Sequence, residues 1–352
     1  MFLTGIGTAN PPQRYTQAEV WQALQECKQF KHLDRRARAV LKKVLLGKNG
    51  IRTRYLALNP LTEVFDATPD SLHQRFARHA PVLAAQAAEG ALLQTGHQAH
   101  EIDAVIISTC TGYLCPGLTS YVAERLGLRP DVLGLDLVGQ GCGAALPNLR
   151  TAEALLAAKR CKRVLSICVE VCSAAFYIDN DPGVLISNCL FGDGAAAVVL
   201  TDTPNPRFRR VEWKATNSLT DPLERDTLRF EQKNGMLRNI LSPSVPQLAA
   251  RNAELVLNEV LDKEGILRSQ ISTWIWHAGG RDVLAALQQQ LSLARSDLNW
   301  SRAVLSKFGN LSSPFVYYVL QAALKGSAPG GWWWLSSFGA GFSCHGALLQ
   351  IQ

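Results

Sequence analysis

At 352 residues, with 47% hydrophobic and 18% charged side chains, the chain can bury one large core or two fused ones, and its composition excludes a disordered or low-complexity protein. No apolar run approaches the about 18 residues needed to cross a bilayer, and Met1 to Gly5 lacks the basic and long apolar regions of a secretory signal, so a soluble, cytoplasmic protein with no membrane span is expected. A net charge of +7 raises nucleic acid as a partner, but the Lys and Arg read as dispersed rather than clustered with aromatics on one element; no nucleic acid is expected, and small polyanions such as the phosphates of CoA fit as well.

In chain order, Ile102 to Ser108 reads as a strand and Val132 to Val138 as a buried strand. Gly139-Gln140-Gly141 then makes a tight turn, and Ala144 to Ala158 a helix with Pro147 tolerated in its first turn. Lys162 to Ile167 is another strand. After Thr203-Pro204-Asn205-Pro206 the pattern returns: Ile102 to Ser108 is echoed by Ile271 to His277 at an offset of 169, Gly141-Cys142 by Gly309-Asn310 at 168, and the strand at Lys162 by Gly331 to Ser336 at 169. A near-constant offset close to half the chain is what an internal duplication leaves behind. The expectation is an α/β fold of two similar halves, 1–203 and 204–352, packed face to face, with Cys142 and Asn310 at equivalent helix starts and both directed to the junction.

Nine cysteines without CxxC pairs or metal-ligand spacing read as free thiols in a reducing compartment, with no metal. Cys142 differs from the others in sitting between glycines where a strand hands over to a helix. Unpaired backbone N–H groups and the helix dipole at that place favour a thiolate and can hold an acyl oxygen as charge develops on it. His277 ends an apolar strand and precedes Ala278-Gly279-Gly280, where a ligand can approach the backbone closely. A thiol, an imidazole and the Asn310 amide, each beside glycine at the end of an element, point to nucleophilic acyl chemistry at one shared pocket.

These residues resemble the type III polyketide synthases, the chalcone-synthase-like members of the thiolase superfamily. The likeness runs in order through Ile6 to Pro12, Ile51 to Leu56, Cys115-Pro116-Gly117, Leu126 to Pro130, Gly141-Cys142, Leu190 to Ala197, His277 with Gly279-Gly280, Gly309 to Ser313, and Phe338 to Gly341. The resemblance implies a five-layered αβαβα thiolase-like fold, a homodimer, no bound cofactor, and acyl-CoA and malonyl-CoA as substrates. It further implies a Cys142–His277–Asn310 triad, Phe191 as a gatekeeping wall of the tunnel, and a CoA-binding segment at Lys48, Arg52 and Arg54 together with Gly279 and Gly280. In that scheme Cys142 takes an acyl group, His277 and Asn310 hold the enolate formed by decarboxylation of malonyl-CoA, and rounds of condensation end in a cyclised pyrone or phenolic. A single-round 3-ketoacyl-CoA or 3-ketoacyl-carrier-protein synthase of the same superfamily is the alternative.

The chain departs from the plant pattern where substrate is read. Positions aligned with pocket threonines hold Cys110, Cys172 and Ala175, and Cys115 replaces a methionine that reaches the partner subunit. Smaller side chains imply a longer or wider cavity and a fatty-acyl starter or longer polyketide. A second gatekeeping phenylalanine has no secure counterpart: Phe230 is nearby, and Arg238 aligns better.

Overall fold

Alternating apolar runs and amphipathic segments build one large mixed sheet with helices on its faces in this computed structural model, which describes residues 1–65 and 67–352. In chain order the first half contains β1 (Phe2–Ala9), β2 (Arg14–Thr16), α1 (Gln17–Glu26), α2 (Arg35–Leu46), β3 (Thr53–Tyr55), α3 (Pro69–Thr95), β4 (Ala104–Ser108), α4 (Leu118–Leu126), β5 (Leu133–Leu137), α5 (Ala145–Ala157), β6 (Arg163–Glu170), α6 (Pro182–Leu190) and β7 (Gly194–Thr201). The second half contains β8 (Val211–Thr220), β9 (Leu228–Lys233), β10 (Met236–Leu241), α7 (Val245–Glu264), β11 (Ile271–Trp276), α8 (Arg281–Gln290), α9 (Asn299–Phe308), α10 (Phe315–Lys325), β12 (Gly331–Gly339) and β13 (Ser343–Ile351).

The order β4-β6-β7-β1, parallel at its first step and antiparallel at the next two, recurs as β11-β12-β13-β8 with the same directions. The two sets do not only face each other. Phe2 and Leu3 of β1 pair with Glu212 and Val211 of β8, so the ladders continue across the middle, and Thr203 to Pro206 lies in the connection from β7 to β8.

Five layers follow from which faces are apolar. α3 and α4 cover one outer face, α7 and α8 the other, and α5 and α10 lie between the half-sheets, each touching strands of both. A helix in that central position has no polar side to spare. Phe315 to Leu320 of α10 are all buried, as expected of a helix surrounded by protein. The outer helix α3 approaches β1 so closely that a Cβ on Gly7 would stand 2.1 Å from the Ala87 carbonyl oxygen, which only glycine avoids.

The strand around Val132 to Val138 is not buried. β5 is the outermost strand of the sheet, leaving Leu133, Gly134 and Asp136 exposed and Val138 57% exposed. A run of valine and leucine cannot distinguish a central strand from an edge that another surface covers. The hairpin β9–β10 turns on Asn234-Gly235, both at positive φ (53° and 75°), the pairing a two-residue hairpin demands.

Candidate active site

The nucleophile candidate lies in the single 3₁₀ turn Gly141–Gly143 that leads into α5. That turn presses against Gly339, which ends β12, and Ala340: a Cβ on Gly143 would stand 3.0 Å from the Gly339 nitrogen, and one on Gly339 2.3 Å from the Gln140 carbonyl oxygen. Small residues on both sides let the two halves of the sequence meet at the sulfur.

Ser312 joins the parts. Its hydroxyl donates to Cys142 Sγ at 3.2 Å, and its N–H donates to Asn310 Oδ1 at 2.9 Å. The Asn310 amide in turn donates to the Gly279 carbonyl at 3.2 Å, and a Cβ on Gly279 would stand 4.0 Å from His277 Nε2. Phe191 is tied to the same loop by a parallel bridge to Asn310, with Gly192 N–H donating to the Asn310 carbonyl at 3.0 Å. Contacts therefore tie Cys142, Asn310 and Phe191 together, and the Asn310 amide attaches the Gly279 turn that follows His277.

Burial disfavours charge on both Cys142 and His277. Burial pushes the Cys142 thiol up to about 12, against the lowering effect of the Ser312 hydroxyl and its own backbone N–H. Burial also lowers His277 to about 3, where its ring packs edge-on against Phe315 at 5.3 Å. Desolvation thus opposes the thiolate that the helix start favours. His277 Nδ1 is buried and has no hydrogen-bond partner among the described residues.

Glu170, at the end of β6 and fully buried, escaped the sequence reading. Its carboxylate accepts from Ser313 Oγ at 2.5 Å, Thr111 Oγ1 at 2.8 Å, the Cys110 N–H at 3.0 Å and Cys110 Sγ at 3.3 Å, with Ser312 Oγ at 3.4 Å. Burial raises its pKa, and these donors oppose the rise. The available signal was a lone carboxylate in the apolar run Ile167 to Cys172. Ser312, the second omission, adopts φ +59°, a left-handed conformation uncommon outside glycine and asparagine.

A cavity that meets this network at Cys110 and Ser312 is lined also by Cys172, Ala175 and Phe191, four of the five anticipated as tunnel residues, while Cys142, His277 and Asn310 are not in its wall. The expected width is missing. Phe176 and, from the β9–β10 hairpin, Phe230 and Leu237 fill the space left by the small side chains. Of the two gatekeeper candidates, Phe230 and not Arg238 lines the cavity: Arg238 turns away to pair with Asp181 and with Glu231, the latter at 2.7 Å. Cys115 is exposed and lies outside the cavity wall.

Of the three cations anticipated for CoA, Arg54 is removed by its surroundings. It is completely buried, donating to the Asn188 and Phe191 carbonyls, both at 2.7 Å, and to Gln17 Oε1 at 3.0 Å, so it is a clamp beneath the Phe191 turn. Arg52, just before β3 begins, is exposed. Lys48 and Arg52 are exposed near Gly279-Gly280, and Arg281 donates to the Lys48 carbonyl. Among the described residues no group of His, Cys, Asp or Glu could hold a metal ion, and no helix is long and apolar enough to cross a membrane.

Comparisons with known proteins identify the family. Residues 1–204 match the N-terminal domain of chalcone and stilbene synthases, and residues 228–351 match the C-terminal domain. The chain is 29% identical to a 3,5-dihydroxyphenylacetyl-CoA synthase of Amycolatopsis balhimycina, covering 98% of this chain and 92% of that one. It is 31% identical to a 1,3,6,8-tetrahydroxynaphthalene synthase of Streptomyces peucetius subsp. caesius, with 99% and 92% covered. The crystal structure of PKS-I from the brown alga Ectocarpus siliculosus superposes with a TM-score of 0.90 at 26% identity, covering 99% of this chain and 98% of that one. The chain belongs to the chalcone and stilbene synthase family: it is a type III polyketide synthase of thiolase-like fold, an acyltransferase that builds a cyclised product.

Proposed function

We propose that Cys142 carries the growing acyl chain and that His277 and Asn310 run both halves of the reaction. Neutral His277 accepts the thiol proton as Cys142 attacks the acyl-CoA carbonyl, and returns it to the departing CoA sulfur, so that an acyl thioester forms on Cys142 and free CoA leaves. The same ring, protonated at the nitrogen facing the pocket, and the Asn310 amide then donate to the thioester oxygen of malonyl-CoA. Loss of CO₂ leaves an enolate whose charge these donors hold; its carbon attacks the acyl-Cys142 carbonyl, the bond to Cys142 Sγ breaks and releases the sulfur, and the chain, two carbons longer, is left on CoA until Cys142 takes it back for the next round. A ring that is base in one step and donor in the next needs both tautomers, which the unpartnered Nδ1 permits. The observation that carries this reading is the continuous chain of contacts from Cys142 through Ser312 and Asn310 to the Gly279 turn beside His277.

The narrow cavity between Phe176, Phe191 and Phe230 favours a short starter over a fatty-acyl one, and the phenolic names of the two relatives favour a small aromatic product. Cys110, Cys172 and Ala175 shape the wall against which the chain folds. Lys48, Arg52 and Arg281, beside Gly279-Gly280, are the cations for CoA phosphates. We further infer two functional halves, 1–203 bearing the thiol and 204–352 bearing His277 and Asn310. A homodimer in the cytoplasm is also inferred, because the open edge at β5 with Val138 and Tyr113 (69% exposed) is a surface that pairing would cover. Malonyl-CoA with a series of acyl-CoA starters, read by mass spectrometry, tests the reaction: cyclised products of several malonates, lost in Cys142→Ala, are expected. A lone β-ketoacyl product would instead mark a single-round synthase.

A further inference from the structure

The positive charge of this protein is not dispersed. Residues 28–52 hold nine Lys and Arg and one acidic residue, Asp34, while the rest of the chain holds 27 against 28, so this one segment accounts for the whole net charge of +7. All nine are exposed, and among the described residues none is in an ion pair. Five of them, Arg35, Arg36, Arg38, Lys42 and Lys43, fall on α2 within an arc of roughly 160° at about 100° per residue. Its opposite face, Ala37, Leu41 and Leu45, is packed in a core cluster with Leu185 and Cys189 of α6. The helix cannot roll over to insert that apolar side elsewhere, and its outward face offers Leu46 as the single large apolar residue. A membrane-surface helix would need the reverse: an apolar face free to enter the lipid.

Position gives the charge its meaning. α2 runs directly into Lys48, whose carbonyl holds Arg281 at the start of α8, and onward to Arg52, which donates to Ser306 Oγ at 2.9 Å. The basic face therefore ends at the Gly279-Gly280 rim where, on the reading above, a thioester arrives. α2, 12 residues and about 18 Å long, carries the basic face well beyond that rim.

We propose that the outer face of α2 is the docking surface for an acidic carrier protein that presents its acyl group on a phosphopantetheine thiol. The carrier lies on α2 by charge complementarity and its arm enters beside Gly279-Gly280. Cys142 then forms the new thioester as the bond to the phosphopantetheine sulfur breaks, and that sulfur leaves with the proton His277 took from Cys142. The proposal rests on the Cys142 reading for the transfer but not for the docking.

The test uses the full chain and a butyryl-loaded acyl carrier protein, with butyryl-CoA as control. The triple charge reversal R35E/R38E/K42E is expected to weaken carrier binding, measured by fluorescence anisotropy at low salt, by about tenfold or more. It should slow carrier-dependent acylation of Cys142 by a similar factor and leave butyryl-CoA acylation within about twofold. R35Q/R38Q/K42Q, which removes charge without reversing it, should fall between, and unchanged CoA-driven acylation reports that both variants are folded. Absence of carrier binding to the wild type overturns the proposal. So does an equal loss with carrier and CoA, which would make the face a general attractor of polyanions, or binding to phosphatidylglycerol vesicles in place of the carrier. If neither thioester acylates Cys142 while the carrier still binds through α2, the docking stands and the Cys142 reading falls.

Discussion

Removing the Ser312 hydroxyl isolates the group that holds the sulfur. In Ser312→Ala the 3.2 Å donor to Cys142 Sγ disappears, and the developing thiolate is left facing the buried Glu170 carboxylate, which itself raises the thiol pKa. A hydrogen bond to a charged group is worth about 1.5–3 kcal/mol, which corresponds to a further rise of about one to two pKa units. Because reaction goes through the thiolate, alkylation of Cys142 at a fixed pH should fall about 10- to 100-fold. Iodoacetamide labelling across pH 6 to 10, with Cys142 followed by peptide mass spectrometry against the other eight cysteines, measures this directly. Ser312→Gly supplies the control. Glycine accepts the φ of +59° without strain, so it removes the hydroxyl while keeping the backbone. Both variants should lose reactivity alike. Wild-type labelling in Ser312→Gly would refute the argument, since it would mean that the serine serves only to shape the loop.

The two neighbouring arginines should separate cleanly. Arg54→Met leaves the Asn188 and Phe191 carbonyls without their donor in a fully buried site and should cost about 3 kcal/mol or more in urea denaturation, whereas Arg52→Ala should fold normally and raise KM for malonyl-CoA. Equal stability of the two variants would contradict the clamp described for Arg54. Acid should also weaken the fold. His277 is held neutral in the native protein, its pKa lowered from 6.5 to about 3, and buried His345 is lowered to about 4. Between those values and 6.5 the unfolded chain binds protons that the native one refuses, so stability is intact above about pH 6.5 and declines as pH falls towards 3, by roughly 1.4 kcal/mol per pH unit for each histidine. Glu170 and Asp193, raised by burial, bind protons more readily in the native state and oppose part of this loss. Urea denaturation at pH 7 and pH 5.5 should show the decline, and His277→Gln should flatten it; an unchanged slope in that variant would show that His277 is not its source.

The sequence by itself marked the layered α/β architecture, the recurring order of its halves and the three positions Cys142, His277 and Asn310. Each is written locally, in strand-length apolar runs, glycines at element ends and a chemically singular side chain. It also marked Cys110, Cys172, Ala175 and Phe191 as wall residues, because the family's motifs carry those positions in register. Tertiary structure alone decided which charges are free and which are enclosed. Arg54 and Arg52 differ by two places in one motif, and Lys48 lies a few residues before them; nothing in their chemistry says that Arg54 is swallowed beneath Phe191 while Arg52 and Lys48 stay in water, because that depends on what packs over β3 from residues more than 130 positions away. The cavity followed the same rule. Small residues at three positions leave space only if nothing else enters it, and Phe230 and Leu237 arrive from a hairpin that no local pattern connects to them. The protonation of the pair also belongs to the fold, since burial raises the Cys142 thiol and lowers the His277 imidazole, the cost of a charge in a dry interior being set by every atom around it.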